Sequence, residues 1–393
     1  MFSIWWPAFL LPLAMVLGGV AGGVLPGRKY RGPRGVLPPE EQREADRVFC
    51  RFLWQFGLVY AALAFMVMRT VRLVSLSGQR WFLIGAVAVE IIGAALMVIP
   101  VERTLHALFG EDSIVTEQAP AKINLALLVG EKHPDGYHDV TSVMQSVSLC
   151  DTVTARRTSG GITLTCSDPT LACDETNLAY RATALFFEET GGEGGAALTL
   201  EKVIPMQAGL GGGSSDAAAV LRALRRLYAP DMPLEELERM AIRLGSDVPY
   251  CVRGATTLVE GRGEHLTQLP ALPACWCVLC KPDIACPTGA MYGEIDRRGA
   301  HLTLDVQEMV RALERGDLAA VCALVGNVFE QVIDPESDIF TIRRRLTELG
   351  ADAACMSGSG SAVFGLFTKE ETARAAQELL SQDYPRTFLA KTV

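Results

Sequence analysis

The chain has no surplus of positive charge: 45 acidic residues face 36 basic ones, for a net charge of −9. That balance argues against a general nucleic-acid binder, which needs a basic surface for the phosphate backbone. Its 11 cysteines lack the spacing of a disulfide scaffold. In a chain this long, scattered thiols fit a reducing compartment, where buried cysteine acts as a small hydrophobe. Cys275, Cys277, Cys280 and Cys286 lack paired C-x-x-C spacing and lie in an apolar run, so metal is not expected there. No Gly-Lys-Ser/Thr follows the glycines near residue 210, which excludes a Walker A loop. That stretch is not a G-x-G-x-x-G dinucleotide fingerprint either.

What is present begins with length and hydropathy. A chain of 393 residues suggests more than one domain, and a mean hydropathy of +0.23 is high for a soluble enzyme. The excess lies at the N-terminus. Residues 4–25 and 52–68 carry no charge, and 81–101 carries only Glu90, so three transmembrane helices are expected within residues 1–112. Trp5, Trp6, Trp54 and Trp81 sit near segment ends, where aromatic belts are found. A cleaved signal peptide fits the first run less well, because basic residues follow it rather than precede it. The loop after the first span holds Arg28, Lys29, Arg31, Arg34, Arg43, Arg47 and Arg51, against Arg69, Arg72 and Arg80 in the next. Positive-inside counting then places the first loop and everything after 101 in the cytoplasm. Glu90 reads equally as a functional intramembrane carboxylate or as a residue facing neighbouring helices. This region could tether the rest of the chain, act independently or be a misjoined reading frame with the true start near Ser113; in that last case the protein is cytoplasmic.

Beyond Ser113, strand and helix patterns alternate, as in layered α/β structure. Residues 119–129 read as a strand on which Lys122 and Asn124, two apart, share a face. Asp135-Gly136-Tyr137-His138 is a turn with an aromatic and a titratable ring beside it. Strands are expected at 140–149, 162–166 and 197–202, with helices at 177–190 and 234–244, the latter closed by Gly245 before Ser246-Asp247-Val248-Pro249. A proline-rich break at 269–273 divides this part into 113–268 and 269–393. In the second half, 275–280 reads as a strand and 286–289 as a loop. Helices are expected at 306–313, 317–325 and 337–349, and 354–367 as two strands around a small-residue turn.

The most informative segment is 204–219, IPMQAGLGGGSSDAAA. Gly209, Gly211, Gly212 and Gly213 free the backbone to take positive φ and approach a ligand closely. Ser214, Ser215 and Asp216 suit the N-cap of a helix over 217–227. Successive N–H groups at that helix start would form an anion site suited to phosphates. A flexible linker before a helix is the plainer alternative.

Together, PAKINLAL, DGYH, IPMQAGLGGGSSDAAA, LGSDVPYC and MSGSGSAVFG resemble the GHMP small-molecule kinases over roughly residues 115–393. The strand motif and DGYH are most similar to the branch that phosphorylates CDP-methylerythritol, the 2-hydroxyl of 4-diphosphocytidyl-2-C-methyl-D-erythritol, on the non-mevalonate route to isoprenoid precursors. The resemblance implies an α+β GHMP kinase fold: an S5-like N-terminal α/β domain plus a ferredoxin-like C-terminal domain, with the site between them. ATP and Mg2+ are the implied cofactors. Asp247 matches the base that accepts the substrate hydroxyl proton, and Lys122 the cation that keeps it ionised and offsets charge on the transferring phosphoryl group. Asn124 matches a residue bonding the erythritol part. Tyr137, His138, Thr288 and Tyr292 match the cytidine site, with Tyr137 stacking on the base and His138 bonding its edge. Pro205, Met206, Gln207, Ala208, Gly209, Leu210, Gly211, Gly212, Gly213, Ser214 and Ser215 would wrap the ATP phosphates, with Lys202 nearby. The segment reads QAG before Leu210, where some relatives carry GGG. The turn at 357–361 would close on the site from the second half, and no dedicated protein metal cage is visible. Lys122 and Asp247 could otherwise be a structural ion pair. Two rival functions are a GHMP kinase for an amino acid or sugar and a non-catalytic membrane sensor that only binds nucleotide. DGYH and Tyr292 speak against the first, and the presence of both Asp247 and Lys122 against the second.

Overall fold

The computed structural model describes residues 114–393, apart from 135, 192 and 193. Upstream it describes only the paired two-residue strands β1 (Arg31–Gly32) and β2 (Gly35–Val36). The three runs read as membrane spans, with Glu90, lie outside the described residues. Among the described residues, no helix is long and apolar enough to cross a membrane.

The first half is built on two long strands, β3 (Ile114–Lys132) and β4 (His138–Thr158). Gly136, at φ +91°, lets the chain reverse between them, and the His133 N–H closes the turn on the Tyr137 carbonyl at 2.7 Å. The strand expected at 140–149 is part of the 21-residue β4, which serves two partners. Its early residues pair antiparallel with β7 (Thr256–Gly261) and its late ones with β6 (Gly195–Glu201). β5 (Gly161–Cys166) runs parallel to β6, and β8 (His265–Gln268) edges β7.

Helices α1 (Leu178–Thr190), α2 (Gly212–Tyr228), α3 (Leu234–Ala241) and α4 (Val248–Arg253) share one core with this sheet. Asn177 caps α1 by accepting from the Ala179 N–H, and Gly191 ends it in the left-handed conformation. The small residues Ala217–Ala219 let α2 lie close to the strands, while Leu221 and Leu224 are fully buried, each worth about 1.5–3 kcal/mol.

The second half runs β9 (Trp276–Cys280), α5 (Thr288–Arg298), α6 (Val306–Glu314), α7 (Leu318–Ala323), β10 (Gly326–Asn327), α8 (Asp338–Glu348), β11 (Ala353–Met356), β12 (Val363–Phe367), α9 (Glu370–Ser381) and β13 (Thr387–Lys391). Its antiparallel sheet has the order β11-β12-β9-β13, and with α8 and α9 this is the β-α-β-β-α-β connectivity of a ferredoxin-like unit.

β9 explains the cysteine cluster. Cys277 and Leu279 face a core shared with β3 and β4, while Val278 and Cys280 face α8 and α9. A strand buried on both faces needs apolar residues throughout. Burial pushes the Cys275 and Cys280 thiols up to about 11, which opposes the thiolate that zinc requires. The shared core joins the two halves, and β10 joins them again by pairing in parallel with β3.

Candidate active site

A cavity of about 1020 Å³ opens between the halves. Every residue assigned a site role by sequence lines it except Ser215. Ser215 is fully buried, and its hydroxyl donates instead to the Pro120 carbonyl at 2.7 Å.

Lys122 and Asn124 project from the same face of β3, as their spacing requires. The Lys122 ammonium donates to Asn124 Oδ1 at 2.7 Å and lies 3.7 Å from Asp247 Oδ2. Lys122 is 3% exposed, so its charge sits where water screens it weakly. Asn124 Oδ1 also accepts from the Gly358 N–H at 2.9 Å, and its amide nitrogen donates to Ser142 at 2.8 Å. One amide hydrogen of Asn124 remains for a ligand. Asp247 is the N-cap position of α4, yet its side chain makes no cap bond and its carboxylate is about a third exposed. The carboxylate closest to the lysine is therefore not used by its own helix.

The glycine segment differs in detail from the sequence expectation. α2 starts at Gly212, not 217, with Gly211 as its N-cap at φ +72°; Ser214, Ser215 and Asp216 lie inside its first turns rather than capping it. The first intrahelical bond runs from the Ser215 N–H to the Gly211 carbonyl, so helix geometry leaves the N–H groups of Gly212, Gly213 and Ser214 unpaired within the helix. Gly209 is held by the 357–361 turn. A Cβ there would sit 2.0 Å from the Ser357 carbonyl oxygen, and the Ser357 hydroxyl donates to the Gly209 carbonyl at 3.0 Å. Gln207 adopts φ +50°, a conformation glycine takes without cost, which is why glycine also suits this position.

Lys202 lies beside the loop in a cluster that the sequence did not announce. It is ion-paired to both Asp151 and Asp216. Asp151 Oδ1 also accepts the Val203 and Ile204 N–H groups, pinning the chain where it enters the loop. Burial works against the Lys202 charge, but Asp216 and Asp151 outweigh it and its pKa is raised. Burial pushes the Asp216 carboxyl up to about 7 despite the opposing pull of Lys202.

At the far end of the cavity, 286–289 is not all loop. Thr288 and Tyr292 lie on α5, one turn apart, and Asp296 follows one turn later on the same face. That i, i+4, i+8 spacing was the available signal for Asp296, but reading a loop there concealed it. Asp296 accepts from His138 Nε2 at 2.7 Å and from Lys132 at 2.5 Å. The His138 ring stacks on Tyr292 with centroids 5.1 Å apart, and Phe329 meets Tyr292 edge-on. Burial, then the Asp247 charge, pushes the Tyr292 phenol up to about 12. Tyr137 is 59% exposed, with the Arg262 guanidinium over its ring at 5.1 Å. Thr288 Oγ1 pairs with Ser359 Oγ at 3.0 Å and so joins α5 to the glycine-rich turn.

A buried lysine beside a carboxylate, next to glycine-framed helix N–H groups, defines the site of a small-molecule phosphotransferase. Family models agree: GHMP kinases N terminal domain matches residues 177–255 and GHMP kinases C terminal matches 309–386. A 4-diphosphocytidyl-2-C-methyl-D-erythritol kinase of Geobacillus kaustophilus (strain HTA426) is 44% identical over 253 residues, 63% of this chain and 87% of the relative. One from Moorella thermoacetica (strain ATCC 39073 / JCM 9320) is 41% identical over 71% of this chain and 99% of its own length. A solved 4-(cytidine 5'-diphospho)-2C-methyl-D-erythritol kinase shares 36% identity and a TM-score of 0.61, over 71% of this chain and 99% of that one. The chain belongs to the 4-diphosphocytidyl-2-C-methyl-D-erythritol kinase family of the GHMP kinases.

Proposed function

We propose that this chain transfers the γ-phosphoryl group of ATP to the 2-hydroxyl of 4-diphosphocytidyl-2-C-methyl-D-erythritol, a step of the non-mevalonate (MEP) route to isoprenoid precursors. The observation that carries the reading is Lys122 Nζ at 3.7 Å from Asp247, in one cavity with the glycine segment and the Tyr137–His138–Tyr292 group. Asp247 accepts the proton of the attacking hydroxyl. Lys122 offsets negative charge where the phosphoryl group transfers. The segment from Pro205 to Ser214 receives the nucleotide phosphates: glycines 209 and 211 have positive φ, and the unpaired N–H groups of a helix start favour anions. Mg2+ bound with the nucleotide would supply positive charge that offsets the charge of the phosphates. Asn124 holds Lys122 and offers an amide hydrogen to the erythritol part. Tyr137, His138, Tyr292 and Thr288 form the cytidine end.

The ATP-binding part is residues 113–268 and the closing part 269–393. Residues 1–112 anchor the kinase at the cytoplasmic face of a membrane. Support for the anchor comes from the three apolar runs and the excess of basic residues in the first loop.

The test is phosphoryl transfer by the purified chain, followed by phosphorus NMR, with 4-diphosphocytidyl-2-C-methyl-D-erythritol and homoserine as rival acceptors. A new phosphomonoester on the cytidine compound alone is expected. Transfer to homoserine alone, or to neither, would overturn the reading.

A further inference from the structure

Asp296 is a carboxylate that the proposed phosphoryl transfer does not use, yet it holds a buried ring of the cavity. His138 has a side chain only 5% exposed, packed face-on against Tyr292 and bonded through Nε2 to Asp296 Oδ1. The other Asp296 oxygen takes the Lys132 ammonium. Lys132 first, and His138 second, hold the Asp296 carboxyl below the usual range. An ionised carboxylate accepts hydrogen bonds and donates none, so the proton of a neutral His138 ring sits on Nε2. Nδ1 is then a bare acceptor, and it bonds no described residue.

We propose that Asp296 is a positioning residue that fixes the His138 tautomer, so that the site accepts a cytosine and rejects a uracil. The two bases differ at C4, where cytosine carries an amino donor and uracil a carbonyl acceptor. A bare Nδ1 gains a hydrogen bond from the amino group. Opposite the carbonyl, two acceptors face each other and both stay unpaired, which a buried site penalises strongly. This rests on the cytidine end of the cavity proposed above.

The test is calorimetric binding of CDP and of UDP to the full chain at pH 8, with ATP binding as the control for folding. The unaltered protein is expected to prefer CDP by about tenfold or more. Asp296→Asn, whose amide can donate or accept, should bring that ratio close to one and leave ATP binding unchanged. Asp296→Glu should restore part of the preference. Nitrogen NMR of labelled histidine should show protonated Nε2 in the unaltered protein and mixed tautomers in Asp296→Asn. An unchanged CDP preference in Asp296→Asn, or protonated Nδ1 in the unaltered protein, would overturn the proposal. If the unaltered protein bound neither nucleotide, the substrate reading would fall first and this proposal with it.

Discussion

Asp247 and Asp216 show how position sets the chemistry of one side-chain type. Asp247 stands at a helix start without capping it, partly exposed and facing Lys122. Asp247→Asn keeps the shape but removes the proton acceptor, so kcat should fall by about 10²-fold or more while CDP binding is retained. Steady-state kinetics beside calorimetry checks this, and near-normal turnover would exclude Asp247 as the base. Asp216 is 4% exposed, and its carboxyl is raised to about 7, chiefly by burial. The unfolded chain releases that proton near its ordinary value of about 3.9. The stabilisation linked to this group is therefore complete below about pH 3.9 and is lost as pH rises through about 7. In melting curves, the advantage of the natural protein over Asp216→Asn should shrink between about pH 5 and about pH 8. A difference that stays constant over that range would mean Asp216 is ionised throughout.

Among the elements, the glycine segment and the 357–361 turn form one unit, because each needs glycine where the other approaches. Gly209 meets the Ser357 carbonyl, and a Cβ on Gly358 would sit 2.9 Å from the Gly209 carbonyl oxygen. Gly211 has a second constraint: its φ is +72°, and a Cβ there would lie 3.0 Å from Lys122 Cγ. Gly211→Val therefore strains the backbone and displaces the lysine together. ATP affinity should drop by about tenfold or more, and turnover with it, since left-handed backbone costs a branched residue more than glycine. An unchanged far-UV spectrum and melting midpoint would show that the fold survives. Tight ATP binding by this variant would refute the placement of the phosphates.

For the molecule as a unit, the described residues that form the three core clusters and the cavity all lie after 113. A protein beginning at Ser113 should fold and phosphorylate at the full-length rate, and an inactive truncation would show that residues 1–112 contribute to the catalytic fold. In the full-length chain, fusion reporters should place the C-terminus on the cytoplasmic side with the 27–51 loop. The basis is seven basic residues in that loop against three in the next. An external C-terminus would overturn both the orientation and the ATP supply.

The chemistry carried by short stretches is legible in the order of the residues alone. Lys122 and Asn124 share a face because strand side chains alternate with period two. Gly191 marks a helix end and the glycine segment announces positive φ at Gly209 and Gly211, because these depend on local backbone freedom, whereas the helix expected over 234–244 stops at Ala241, short of Gly245. Reading 286–289 as a loop hides the helix that carries Thr288, Tyr292 and Asp296, and α9 and β13 lie outside the elements expected from the sequence. The pairs that tune the site join residues far apart in the chain. Asp151 and Lys202 are 51 residues apart, Ser357 and Gly209 148, and His138 and Asp296 158. Which carboxylate meets which cation over such separations depends on strand register and on the faces that helices turn to one another. Those are settled only when the two halves bury a common core, so no local pattern along the chain encodes them.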